Sequence, residues 1–139
     1  AGTIDFPDSP PIAYAIFAHC FAGSRHTPGA ARTAKQLTEF GIATLRFDFP
    51  GLGQSTGDFH ETCFSENVAD IISAHQWLAD NYRTPQLLIG HSLGGVLHYH
   101  AALRRPDPTG YGPPALAALV AFTASGEVVP LDPQLKGKL

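Results

Sequence analysis

Short apolar runs alternate with helix-like repeats along this chain. The apolar runs are bounded by turn residues, and each predicts a strand buried on both faces. They cover residues 12–18, 42–47, 86–89 and 116–124. Three predicted helices lie between them, at residues 28–41, 68–82 and 96–103. Thr27 and Pro28 mark the start of the first helix, and a three-and-four apolar repeat supports the second.

The order strand, helix, strand, helix, strand, helix, strand predicts an α/β fold with a mostly parallel sheet flanked by helices on both faces. The first eleven residues contain three prolines and predict an irregular lead-in. The residues after 124 predict a polar tail. With 139 residues, 44% of them hydrophobic and 15% charged, the chain fits one globular domain over residues 1–139.

The charge and the cysteines narrow the choice of partners and compartment. A formal net charge of −3 gives no reason to expect nucleic acid or an anionic membrane as a partner. No apolar run reaches the roughly 18 residues of a spanning helix, and no signal-peptide pattern precedes residue 12. Cys20 and Cys63 are predicted to be reduced thiols in a cytoplasmic protein, although one disulfide remains an alternative. No metal or cofactor is predicted.

The strongest chemical signal is Gly90-His91-Ser92-Leu93-Gly94, which matches G-x-S-x-G between an apolar strand and a helix. A sharp turn there lifts the serine hydroxyl above the sheet, and the free N–H groups of the following helix point at the same spot. Ser92 is therefore the predicted nucleophile. The alternative is a glycine-rich turn with an incidental serine.

Two further motifs agree with this interpretation. His19-Cys20-Phe21 forms a turn after the first predicted strand, and residues 48–55 (DFPGLGQS) form a loop after the second. With these motifs the chain resembles the α/β-hydrolase family, over residues 12–124. The residues of the three motifs are similar to those of serine aminopeptidase-like hydrolases and of hydrolase domains fused to OsmC-like domains. The resemblance implies that the backbone N–H groups of Phe21 and Leu93 form the oxyanion hole. Asp48 is predicted to hold its loop.

The rest of the usual triad is missing from its expected place. The family order is serine, acid, histidine, but the histidines after Ser92 lie in the helix that the serine opens and cannot reach its hydroxyl. The sequence thus resembles a truncated α/β-hydrolase fold without its C-terminal part. His26 and His60 lie in loops at the same sheet end and are the candidate bases, with His60 preferred because Asp58 is near. For the acid, the resemblance makes Glu127 or Asp132 possible.

The leading hypothesis is a carboxylic ester hydrolase that acts on small acyl esters through an acyl-enzyme on Ser92. Alternatives are a non-catalytic binding or assembly module of the same fold, or a fragment whose base a partner chain supplies. A nucleotide-binding domain is disfavoured, since no phosphate loop with a lysine is present. The last predicted strand would be a sheet edge in a truncated fold. The sequence therefore predicts a homo-oligomer, most simply a dimer, and the alternative is that the tail at residues 130–139 covers this edge.

Overall fold

A computed structural model describes residues 1–104, 118–122 and 128–130 of the chain. It contains six strands, three helices and one short 3₁₀ helix at Phe59–Glu61 among these residues. The strands are β1 (Gly2–Asp5), β2 (Ala13–Ala18), β3 (Ile42–Phe47), β4 (Leu87–His91), β5 (Ala118–Phe122) and β6 (Val128–Pro130). The helices are α1 (Pro28–Glu39), α2 (Phe64–Asn81) and α3 (Leu93–Arg104).

The strands form one sheet in the order β1-β3-β2-β4-β5-β6. Strands β3, β2, β4 and β5 are parallel, as the alternation of strands and helices predicts. Ala18 at the end of β2 is level with Phe47 in β3 and with Gly90 in β4. The loops that follow these three strands therefore emerge together at one edge of the sheet.

Both outer strands are antiparallel, and the predictions of an irregular lead-in and of a polar tail are wrong at these segments. The lead-in contains β1, which pairs with β3 from Gly2 opposite Phe47 to Asp5 opposite Thr44. The tail contains β6, which pairs with β5. Strands of three or four residues are too short to show a clear alternation, and neighbouring prolines conceal them further.

The β5 edge is therefore covered by the chain's own β6, at Val120, Ala121 and Phe122. A homo-oligomer is predicted from a bare β5 edge, and the pairing with β6 removes that reason for it. The oligomeric state itself stays a prediction.

Helices cover both faces of the sheet. Helix α1 packs on one face, where Phe17, Ala30 and Ile89 form a buried cluster. A second cluster on α2 and α3 includes Val68 and Leu97, with Ala18 from β2. Such burial of apolar surface is the main stabilising contribution to folding. None of the helices within the described residues is long and apolar enough to cross a bilayer.

Helix α2 begins four residues earlier than the apolar repeat predicts. The carboxylate of Glu66 accepts a hydrogen bond from the backbone N–H of Cys63 at 2.8 Å, which caps the helix start. This early start leaves only Thr62 and Cys63 between the 3₁₀ helix and α2.

Candidate active site

Ser92 lies at the turn between β4 and α3 in a left-handed backbone conformation. Its φ is +52°, and it is the only non-glycine residue with a positive φ in the part of the chain that the structure describes. Holding a non-glycine residue there costs on the order of 1–3 kcal/mol, so the surrounding structure must enforce it. The residue is exposed, with its hydroxyl available to a ligand from solvent. The predicted strand and helix flanks of the motif are confirmed.

Two glycines make this turn possible. A Cβ on Gly90 would overlap the backbone of Gly95, and a Cβ on Gly94 would overlap the carbonyl of Ala18 at the end of β2. The start of α3 thus packs directly against the end of β2. This contact brings the serine turn and the His19-Cys20-Phe21 turn together, which is the juxtaposition that an oxyanion hole built from both turns requires.

His19 ties the Cys20–Phe21 peptide to the neighbouring loop. Its imidazole is buried, with 1% of the residue exposed. The backbone N–H of Phe49 donates to Nε2 at 3.3 Å, so this nitrogen carries no proton. Nδ1 then holds the proton and donates to the carbonyl of Cys20 at 2.7 Å. Burial lowers the pKa of His19, although its bond to Cys20 and the charge of Asp48 act in the opposite direction.

The Cys20 carbonyl accepts a second bond, from the N–H of Gly23 at 2.9 Å. In a planar trans peptide the N–H of Phe21 points away from this carbonyl. Fixing the carbonyl with two donors therefore also fixes the direction of the Phe21 N–H. His19 is thus a residue that orders this turn.

The side chains of Phe21 and Phe59 form an apolar rim above the turn. Their rings pack edge to face with centroids 4.9 Å apart. Phe21 nevertheless keeps 57% of its surface exposed. Behind the two turns lies a cavity of about 320 Å³, lined by residues including Phe17, Cys20, Ala30 and His91.

The candidate bases His26 and His60 are both exposed on loops at this sheet edge. Asp58 was expected to favour His60, but its carboxylate accepts the backbone N–H of His60 at 2.9 Å and so caps the 3₁₀ helix. Among the described residues, no hydrogen bond joins an imidazole to the hydroxyl of Ser92, and the role of either histidine stays a prediction. The candidate acids Glu127 and Asp132 lie outside the described residues.

Asp48 holds its loop, as predicted, through a buried ion pair with Arg25 that sequence reasoning missed. Burial raises the pKa of Asp48, but hydrogen bonds from the N–H groups of Arg25 and Gln54 and the charge of Arg25 outweigh this effect, so the net shift is downward. Arg25 was missed because a pair separated by 23 residues leaves no local pattern.

Both cysteines are free thiols, as predicted, with Cys20 partly buried and Cys63 exposed. Across the described part of the chain, no group of three His, Cys, Asp or Glu side chains is placed to hold a metal ion.

Comparison with known proteins agrees with this geometry. The family described as "Serine aminopeptidase, S33" matches residues 10–126. The human mitochondrial palmitoyl-protein thioesterase ABHD10 is 36% identical over 110 residues, which cover 73% of this chain and 35% of that protein. The chain thus spans about a third of the length of the curated relatives it matches.

Solved structures share the fold. An esterase domain from Rhodothermus marinus is 41% identical with a TM-score of 0.57, and the match covers 74% of this chain and 39% of that one. The esterase Est1E from Butyrivibrio proteoclasticus, solved with ferulic acid, is 26% identical with a TM-score of 0.68, covering 74% and 43%. With the serine turn, the sheet order and the matched family in agreement, the chain belongs to the α/β-hydrolases, in the serine aminopeptidase S33 family.

Proposed function

We propose that the chain is the catalytic core of a serine hydrolase that cleaves small acyl esters or thioesters through an acyl-enzyme on Ser92. The observation that carries this proposal is the exposed Ser92 at φ +52°, held between two glycines whose replacement the backbone does not permit. A turn without a catalytic role needs no strained, exposed serine at this point.

The reaction has two halves. Oγ of Ser92 attacks the carbonyl carbon of the substrate while its proton passes to an imidazole base, and the carbonyl π electrons move to oxygen. The N–H groups of Phe21 and Leu93 donate to this oxyanion. The tetrahedral intermediate then collapses, the alcohol or thiol leaves with the proton, and water releases the acid by the reverse sequence. The base is proposed to be His60 or His26, with supply by a partner chain as the alternative.

Two features support a small, apolar acyl group. The cavity of about 320 Å³ behind the turns is at the lower end of the range for ligand sites. The exposed ring of Phe21, which packs on Phe59, offers a separate apolar surface on the turn after β2. The name of the human relative extends the proposal to thioesters, because that protein is a thioesterase. The esterase solved with ferulic acid supports an apolar acyl group. A cytoplasmic location remains part of the proposal, although the human relative is named as mitochondrial.

The test is reaction with a fluorophosphonate probe, followed by mass mapping of the adduct. Wild-type chain and Ser73→Ala are expected to label at Ser92. Ser73 is a matched control because its hydroxyl is exposed on α2 and bonds only the carbonyl of Ala69. Ser92→Ala should lose the label and at least about a thousandfold of esterase activity.

A competing function is a binding or assembly module in which the turn survives without activity. It predicts a folded wild-type chain that does not label. Labelling at Ser92 with turnover of an activated ester would exclude it, whereas equal activity in Ser92→Ala would overturn the nucleophile assignment.

A further inference from the structure

Two loops flank Ser92, and three separate contacts join them. The first loop is residues 19–27 after β2, and the second loop is residues 48–63 after β3. The contacts are His19 to the N–H of Phe49, Arg25 to Asp48 and Gln54, and the ring of Phe21 to the ring of Phe59. Because these contacts are spread along both loops, they couple the position of one loop to that of the other.

The contact at Asp48 carries most of the polar bonds. Its Oδ1 accepts the backbone N–H of Arg25 at 2.6 Å, and its Oδ2 accepts the Arg25 guanidinium and the N–H of Gln54 at 3.0 Å. The carboxylate side chain has no exposed surface. Gly53 fits beside it only because it lacks a side chain, since a Cβ there would overlap the carboxylate. Asp48 thus binds backbone donors from both loops with one group.

All three nitrogens of the Arg25 guanidinium donate hydrogen bonds. One terminal nitrogen donates to Asp48, the other to Oε1 of Gln54, and Nε donates to Oγ1 of Thr3 at 3.1 Å. Its own carbonyl accepts from the guanidinium of Arg46. Only a planar fork with several fixed donors makes such a set of bonds, and a lysine offers no equivalent. The backbone of the first loop is therefore held at both its N–H and its C=O.

We infer that Asp48 and Arg25 are positioning residues for catalysis, which hold the two loops as one unit and so fix the aim of the Phe21 N–H. Neither residue touches the reacting atoms. The inference rests on the proposed role of Phe21 as an oxyanion donor. Loss of one such donor costs about 100- to 1000-fold in kcat, and misplacement by about 1 Å costs about 100-fold.

The kinetic test compares Asp48→Asn with Asp70→Asn in the full chain. Asparagine keeps the shape of Asp48 but turns an N–H₂ group toward donors. Asp70→Asn is the matched exchange on α2, and the side chain of Asp70 bonds neither loop. Burial, and then the charge of Glu66, raises the pKa of Asp70. With p-nitrophenyl acetate, Asp48→Asn should lower kcat about 10- to 100-fold with KM changed less than threefold. Asp70→Asn should keep kcat.

A second readout does not depend on activity. In ¹H–¹⁵N spectra, Asp48→Asn should move the amide resonance of Phe21 and leave that of Leu93, which lies on the serine turn, in place. If Asp48→Asn does not fold, Arg25→Lys should show the same changes at smaller size, because it keeps the charge and loses the fork.

The outcomes separate the two proposals. A folded Asp48→Asn chain whose kcat and Phe21 resonance match those of Asp70→Asn would overturn the positioning role. A wild-type chain that turns over no ester and takes no fluorophosphonate would instead overturn the proposed function. The Phe21 resonance would then still decide whether the pair fixes this turn.

Discussion

The two hydrogen bonds of the buried His19 imidazole can be tested separately, because Nδ1 donates and Nε2 accepts. Asparagine at this position offers an amide N–H close to where Nδ1 donates to Cys20. Glutamine reaches farther and offers a carbonyl oxygen close to where Nε2 accepts from Phe49. Each variant therefore keeps one bond and loses the other.

The two losses should differ in their effects on stability and on catalysis. His19→Asn leaves the buried N–H of Phe49 unpaired, and His19→Gln leaves the Cys20 carbonyl with the Gly23 N–H alone. His19→Asn should therefore lower the free energy of unfolding by about 1–3 kcal/mol, and His19→Gln by about 0.5–1.5 kcal/mol. Only His19→Gln frees the Cys20–Phe21 peptide. Because Gly23 still holds that carbonyl, kcat should fall about 10- to 100-fold rather than by the full cost of a lost oxyanion donor.

Urea unfolding and p-nitrophenyl acetate turnover measure the two effects on the same samples. His19→Asn should lose stability and keep kcat within about threefold of wild type. The reasoning is refuted if both variants fold and lose kcat equally, because the Cys20 bond would then have no separate role.

Two further predictions concern stability. Since the pKa of His19 is lowered from 6.5, the neutral imidazole contributes its full stability above that pH and loses it as the pH falls toward the lowered value. The free energies of unfolding at pH 7.5 and 5.5 should therefore differ more in wild type than in His19→Asn. Equal differences in the two chains would contradict this. Gly53→Ala should lower the free energy of unfolding by more than about 1 kcal/mol, because the φ of Gly53 is +56° and a Cβ would overlap Asp48. Gly29→Ala in α1 meets open space and should raise the free energy of unfolding by up to about 1 kcal/mol. A similar melting temperature for both variants would show that the second loop adapts to a Cβ without loss of stability.

The sequence predicts well those features that repeat or match a local motif. The second helix follows from apolar spacing, and the first from the cap and proline at its start. The serine turn follows from a five-residue motif whose strand and helix flanks are both present. The glycines at 90 and 94 are explained in the structure by backbone overlap, a requirement that the motif already encodes.

Features that depend on contacts between distant residues escaped prediction. Nothing near Arg25 indicates Asp48, and nothing in the lead-in indicates that β1 pairs with β3. The cap at Asp58 was within reach of sequence reasoning, because aspartate commonly accepts the N–H two residues on. Because Asp58 lies two residues before His60, it was instead interpreted as a partner of the His60 imidazole. Short edge strands and long-range ion pairs carry too little local pattern to be read from one chain.

The burial of the Arg25–Asp48 pair has a consequence for the salt tolerance of the site. Its two side chains are 8% and 0% exposed, so mobile ions have no path between them and screening is weak. The Arg46–Asp5 pair, whose carboxylate side chain is 27% exposed, lies closer to solvent and is more open to screening. The loops beside Ser92 are thus held by charges that ionic strength barely reaches. We therefore expect added salt to weaken the Arg46–Asp5 pair before it weakens the Arg25–Asp48 pair.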